Sequence, residues 1–452
     1  MKILLIKPEI VGIFSYTRLM DHEPLELEYL YTVLTVEGHK AYIYDRRYEK
    51  TSLKKKLIKE RPDIVAITGS VTQENIMKKI AVEVKKHDKS ITVVVGGTHV
   101  ELNYENFYLD YIDFICHTGD LDSFVKIISF LQKKNSKLSD IKGIAYKEGQ
   151  SWVLTPKCIA DPNDLPVPDR EYFEKNRHLF RYLDYKTLAL VKTAYSCPYK
   201  CSFCYCTNLN SGKYLTRDID RVVDEIEGIS APYIHIVDDD FLVDTKRIKD
   251  FIRLVREKRI QKKYLIYGRA DFIANNEAIM KELKEIGLCL VMVGLEAMDD
   301  RQLNRYHKKT KSRDNERAVE VLNSLGVECA ALLIVNQDST KEDFVNIYKW
   351  VKKVKLMNVT VSIFTPMKGS RDYDQYKDEI VDRRVIRQDL FHLIIKPKNM
   401  GRSMFYIRYY ILLIKLFING KSNDRVYDAV NVEFILKLVG ILAMKIIRRV
   451  RL

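Results

Sequence analysis

Short β-branched runs alternate with amphipathic segments over roughly the first 130 residues. The apolar runs are residues 2–7 (KILLIK), 41–45 (AYIYD), 63–68 (DIVAIT), 91–97 (ITVVVGG) and 113–119 (DFICHTG). Between them lie helical patterns such as residues 23–38 and 73–87. Strands that read as continuous apolar runs, separated by helices, predict a parallel sheet covered on both faces, a doubly wound α/β domain. Ligands of such sheets sit beyond the carboxyl ends of the strands. Those ends carry Pro8, Thr68-Gly69-Ser70, Gly96-Gly97-Thr98 and Thr118-Gly119-Asp120. From Leu188 the alternation resumes, with strand patterns at 188–196, 233–241, 264–270, 288–296, 328–336 and 359–367. Six βα units of ~30 residues predict a closed or partly closed barrel with its chemistry at the C-terminal strand ends.

The two regions are joined by a connector. Residues 141–146 and 151–154 flank Glu148-Gly149-Gln150 and predict a hairpin. The proline-rich stretch 161–170 cannot continue a helix or central strand, which makes it the best domain boundary. The expected organisation is a doubly wound domain over 1–135, a connector over 136–185, a partial barrel over 186–375 and a basic, helical region over 376–452.

Composition narrows the class. The chain has 452 residues, is 46% hydrophobic and 30% charged, and carries a net charge of +15. That apolar content excludes a largely disordered protein. No uninterrupted run of 18 apolar residues appears, and the first strand meets Pro8 too soon to be a signal peptide. A cytoplasmic protein is expected. The positive charge permits nucleic-acid binding, but no RNA-binding module is recognisable, and Lys54-Lys55-Lys56 fits a solvated helix face. Nucleic acid is therefore not an expected partner.

The eight cysteines are unevenly placed. Cys197, Cys201, Cys204 and Cys206 fall within ten residues, whereas Cys116, Cys158, Cys289 and Cys329 are scattered and fit small buried hydrophobes. A disulfide scaffold would be shorter and denser in cysteine. The spacing CxxxCxxC in Cys197-Pro198-Tyr199-Lys200-Cys201-Ser202-Phe203-Cys204 can ligate three irons of a cubane. Structural zinc would need a fourth ligand, and Cys206 is an awkward reach back to the same metal.

With Phe203 before its last cysteine, this stretch resembles the cluster loop of the radical S-adenosylmethionine (SAM) superfamily. The resemblance implies a [4Fe-4S] cluster on Cys197, Cys201 and Cys204, with one iron left open to chelate SAM. It further implies SAM contacts from Phe203 and from the strand-end residues Asp238, Asp239, Arg269 and Glu296. Helix caps or salt bridges are the competing roles for those carboxylates. The fifth strand and its loop, residues 331–340, depart from the Gly- and Pro-containing turn of many relatives, which leaves the adenine-side contacts open.

A doubly wound domain ahead of such a barrel resembles the cobalamin-binding class of the superfamily. By that resemblance the corrin would meet Pro8, Ser70, Gly96, Gly97, Thr98 and Gly119. The DxHxxG signature is missing, since Pro8-Glu9-Ile10-Val11-Gly12 holds no histidine, and His39 fits a structural role. No histidine is expected beneath the cobalt. A degenerate domain without corrin is the alternative. The resemblance implies methylation of an unactivated carbon through a 5′-deoxyadenosyl radical and methylcobalamin. Alternatives are a radical cyclase or rearrangement enzyme, or an iron–sulfur protein without enzymatic activity. The substrate would be a small or lipid-like molecule, and the electron donor an external flavodoxin or ferredoxin. Two apolar runs, 405–418 and 434–447, read as helices that either cap the barrel or lie at the inner face of a membrane.

Overall fold

The structure is a computed structural model that describes residues 1–10, 20–133 and 137–420. Its first sheet contains β1 (Lys2–Lys7), β2 (Lys40–Asp45), β3 (Ile64–Thr68), β4 (Thr92–Gly96), β5 (Phe114–Cys116), β6 (Ile144–Glu148) and β7 (Ser151–Leu154) in the order β2-β1-β3-β4-β5-β6-β7. The first five strands are parallel. Every residue of β3 is buried, as a central strand covered on both faces requires. Leu4, Val65 and Val93 pack on one face against Met77, Ile80 and Val84 of the helix Glu74–His87. Ile3, Ala66 and Val94 face Leu27, Phe124 and Ile128 on the other. The strand order turns between β1 and β3, which opens a ligand crevice at their carboxyl ends. The hairpin expected in the connector forms, but it is part of this sheet: β6 pairs antiparallel with β5. Its inward Ile144 and Tyr146 complete the same core, so the pairing is driven by burial rather than by the turn alone.

The second sheet holds six parallel strands in sequence order, β8 (Leu188–Val191), β9 (Tyr233–Ile236), β10 (Lys263–Arg269), β11 (Leu288–Glu296), β12 (Glu328–Val335) and β13 (Asn358–Ile363). This is the expected six-unit barrel. Leu188, Leu265, Leu290, Met292 and Ala330 fill its interior.

Arg170, at the end of the proline-rich stretch, locks the two units together. Its guanidinium donates to Glu23 (2.8 Å), to Glu225 (2.9 Å) and to the Leu190 carbonyl (2.8 Å). Glu225 also accepts from the buried Arg217 at 2.7 Å. One guanidinium therefore touches the first domain, the barrel helix Ile219–Gly228 and the first barrel strand.

The apolar run 405–418 lies in the helix Arg402–Gly420, which packs Phe405, Tyr409, Leu412 and Leu416 into the barrel core. The Tyr409 hydroxyl donates to the Val361 carbonyl at 2.7 Å. Its outer face exposes Ile407, Ile411, Ile414 and Ile418. Among the described residues no helix is long and apolar enough to cross a membrane. The run 434–447 lies outside the described residues.

Candidate active site

The cysteine loop leaves the barrel immediately after β8. Residues 194–195 pair antiparallel with 215–216 and close the base of the excursion. Ser196 turns the chain with a left-handed φ of +64°, and its hydroxyl donates to the Cys206 carbonyl at 3.0 Å. The middle of the loop is tied down by Ser202. Its N–H donates to the Tyr306 carbonyl (2.9 Å), its hydroxyl to Asp372 (3.1 Å), and its carbonyl accepts from the Asp372 N–H (3.0 Å). Phe203 stacks edge-on against Tyr306, 5.4 Å between ring centroids, in an apolar group with Phe364 and Tyr376. Its contact in this structure is therefore the protein core that anchors the loop.

Among the described residues no three His, Cys, Asp or Glu side chains converge as one metal ion would require. Cys206 takes a distinct place. The Cys206 thiol, beside Cys204, holds the Cys204 thiol below its ordinary pKa. It also faces a cavity described below, together with Asp239.

Around the loop the barrel supplies charge. Arg269, at the end of β10, holds Asp271 through two 3.0 Å bonds, donates to the Lys308 carbonyl at 2.7 Å and covers the Tyr199 ring at 3.9 Å. Glu296, at the end of β11, adopts a left-handed φ of +59° where the sheet register shifts, and pairs with Lys308 at 2.8 Å. A Cβ on Gly294 would meet that pair at 2.5 and 2.7 Å, so a side chain there would push the two charged ends aside. Burial disfavours the charge of Lys308, but Glu296 and the nearby Cys201 thiol more than offset this and raise its pKa. The sequence reading missed Lys308. Only its position in a run of cations next to Tyr306 could have signalled it.

Asp238 and Asp239 part company. Asp238 accepts from the N–H groups of Thr193 (2.7 Å) and Ala194 (3.0 Å) and from the Thr193 hydroxyl. It is 2% exposed, does not line the cavity, and fixes the chain just after β8. The reason is local: the chain just after β8 leaves the Thr193 and Ala194 N–H groups buried, and the Asp238 carboxylate satisfies both. Asp239 does line the cavity.

That cavity, about 620 Å³, lies between the carboxyl ends of the first sheet and the cysteine loop. Ser70, Gly96, Gly97, Thr98 and Gly119 form one wall; Ser196, Tyr205, Cys206 and Asp239 form the other. Gly97 has φ +98°, and a Cβ there would collide with the Thr68 hydroxyl. This is a cradle that brings bare backbone to the cavity, as a large flat ligand needs. Ser70 also caps the turn ahead of the helix Glu74–His87, its N–H donating to Gln73 at 2.9 Å. Pro8 stays behind this wall, its carbonyl accepting from the Gln73 amide at 2.9 Å. Its rigid ring ends β1 and its carbonyl is used within the fold, so it is not placed on the cavity. His99, which sequence reasoning did not single out, does face the cavity. Its ring nitrogens meet Glu74 (2.8 Å) and Asn103 (3.3 Å), so both are engaged by protein groups. Asn210, also missed, ties the units together: its N–H donates to Glu101 (2.7 Å) and its amide to the Ala160 carbonyl (2.9 Å).

The residues present fit both expected groups: a thiol triad with cationic neighbours for an iron–sulfur cluster and SAM, and a glycine cradle for a corrin, across the cavity from the Tyr205–Cys206 end of the same loop. Comparison with known proteins agrees. Residues 191–351 match the family model of the radical SAM superfamily, and residues 13–122 that of the B12 binding domain. The hopanoid C-3 methylase of Methylococcus capsulatus is 24% identical over 90% of this chain and 78% of its own length. The anaerobic magnesium-protoporphyrin IX monomethyl ester cyclase of Cereibacter sphaeroides is 25% identical over 84% and 64%. Among solved structures, the cobalamin-dependent SAM radical enzyme OxsB with aqua-cobalamin and SAM bound superposes with a TM-score of 0.75 at 15% identity, covering 98% of this chain and 75% of its own. The radical SAM domain implies a [4Fe-4S] cluster and SAM, and the domain before it implies cobalamin. The chain belongs to the cobalamin-binding, B12-domain-containing class of the radical SAM superfamily.

Proposed function

We propose that this protein is a cobalamin-dependent radical SAM methyltransferase acting on an unactivated carbon of a small or lipid-like molecule. One observation carries the reading: a single cavity is walled by the glycine cradle of the first domain and by the cysteine loop of the barrel. A methyl carrier and a radical source must face the same substrate, and the cavity supports this by bringing the cradle to the end of the cysteine loop that carries Ser196, Tyr205 and Cys206. Cluster and corrin supply the electron that cleaves SAM and the site that carries the methyl group. The chain's own residues hold and shield these groups. Cys197, Cys201 and Cys204 bind three irons, the Glu296–Lys308 pair and Arg269 set the charge beside them, and Gly96 and Gly97 let the backbone approach the corrin. The similarity to a hopanoid methylase supports methyl transfer to carbon.

The similarity to a cyclase supports a second reading, radical cyclisation without methyl transfer. Anaerobically reconstituted protein given SAM, a chemical reductant and cobalamin separates the two. The methyltransferase releases both 5′-deoxyadenosine and S-adenosylhomocysteine. A cyclase releases 5′-deoxyadenosine alone, and a protein without enzymatic activity releases neither.

A further inference from the structure

Outside the cavity, the cysteine loop carries a surface that the proposed chemistry does not use. Ser202 joins the loop by hydrogen bonds to Tyr306 and to Asp372. The segments 305–313 and 370–372 therefore lie against the cysteine loop at Ser202. Residues 305–313 read Arg-Tyr-His-Lys-Lys-Thr-Lys-Ser-Arg, with no acid among them. Lys200, His307, Lys309, Lys311, Arg313 and Arg371 are all exposed. Arg371 approaches His307 at 3.4 Å and joins the two segments into one patch. The acid within these segments, Asp372, is 6% exposed. Asp300 and Asp314 lie at the far edge and accept from the N–H groups of Ser312 (2.6 Å) and Lys311 (2.9 Å).

Five cations at or beside the cysteine loop, Lys200, Lys309, Lys311, Arg313 and Arg371, create a positive field, which steers an anionic partner at that point. The neighbouring rings are not available as stacking platforms for bases. Tyr306 is 2% exposed, and Tyr199 is covered by Arg269. A single-stranded nucleic acid would want such platforms. We propose that this collar is the docking surface for an acidic one-electron carrier protein of the flavodoxin or ferredoxin class. The carrier is oxidised by one electron as the cluster on Cys197, Cys201 and Cys204 is reduced by one. The proposal rests on the reading of that triad as a cluster site.

The test uses reconstituted holoprotein and the variant Lys309→Glu/Lys311→Glu, neither residue touching the thiols or the cavity. Bleaching of cluster absorbance is followed by stopped flow after mixing with reduced flavodoxin, and separately by photoreduction with deazaflavin. The expected result is a fall of about tenfold or more in the flavodoxin rate at low salt for the variant. The wild-type rate should also fall with added salt, and the deazaflavin reaction should be equal in both proteins. Equal flavodoxin rates in the two proteins would overturn the proposal. Binding of a poly-uridine oligomer that the variant abolishes, with carrier rates unchanged, would overturn it in favour of nucleic acid. Failure of deazaflavin to bleach either protein would overturn the cluster assignment, and the docking surface with it.

Discussion

The Lys308 ammonium lies 2.8 Å from the Glu296 carboxylate, with both side chains more than nine-tenths buried beside the cysteine loop. A buried pair of this kind adds little net stability, yet breaking it leaves an uncompensated charge in a dry site. Glu296→Gln should therefore destabilise the protein by ~3–5 kcal/mol. The apolar double variant Glu296→Leu/Lys308→Met should recover most of that loss and still bind SAM poorly. Thermal denaturation together with SAM equilibrium dialysis on iron-loaded protein checks both halves. Wild-type SAM affinity in the double variant would reduce the pair to a structural role.

Gly97 presents a second sharp test. An added methyl group collides with the Thr68 hydroxyl, and φ +98° is strained for any L side chain. Gly97→Ala should lose bound cobalamin while keeping its iron. Metal analysis for cobalt and iron on the same sample reads both. Full cobalt occupancy in the variant would contradict the cradle.

Glu28 predicts a pH dependence. Burial, and then the neighbouring Glu23, push its carboxyl up to about 10 against the opposing charge of Arg170. The folded protein thus holds a proton at neutral pH that the unfolded chain, with a carboxyl near ~4.3, releases. A folded pKa raised in this way gives stability at low pH that is lost as pH rises toward the folded value. The slope approaches ~1.4 kcal/mol per pH unit. Glu28→Gln removes this dependence. Its Tm advantage over wild type should grow steadily from pH 6 to pH 9, and a constant difference would show that Glu28 is ionised in the fold.

Arg170 is the fourth test. Replacing it with Met leaves Glu23 and Glu225 facing buried surroundings without their shared cation. A loss of ~3–5 kcal/mol is expected, with faster amide exchange in residues 161–170 and in the helix Leu25–Val36. Unchanged exchange in those segments would show that the two domains are held together by other contacts.

Much of this architecture was legible in the chain because its signals are local. The parallel strands are marked by unbroken β-branched runs such as Ile64–Thr68, and the thiol triad by a spacing of a few residues. The hairpin was visible as a hairpin, but not that it extends the first sheet, because its partner β5 is decided by burial across the domain. The same limit applies at the site. Asp238 and Asp239 are neighbours with identical chemistry just after β9, yet one is taken up by the N–H groups of Thr193 and Ala194, some 45 residues away, and the other lines the cavity. Lys308, His99, Asn210 and Arg170 act through partners at sequence separations of 12, 25, 109 and 147 residues. The last three contacts span more than any local window of sequence, and the first joins the end of a strand to a loop beyond the following helix.

The central claim is that three cysteines leave one iron of the cluster open to SAM. Mössbauer spectroscopy of iron-57-reconstituted protein, with and without SAM, addresses it directly. The account predicts that SAM shifts the parameters of one iron in four, through binding of its amino and carboxylate groups. A spectrum unchanged by saturating SAM, which becomes responsive only in Cys206→Ala, would mean that Cys206 fills the fourth corner and would contradict it.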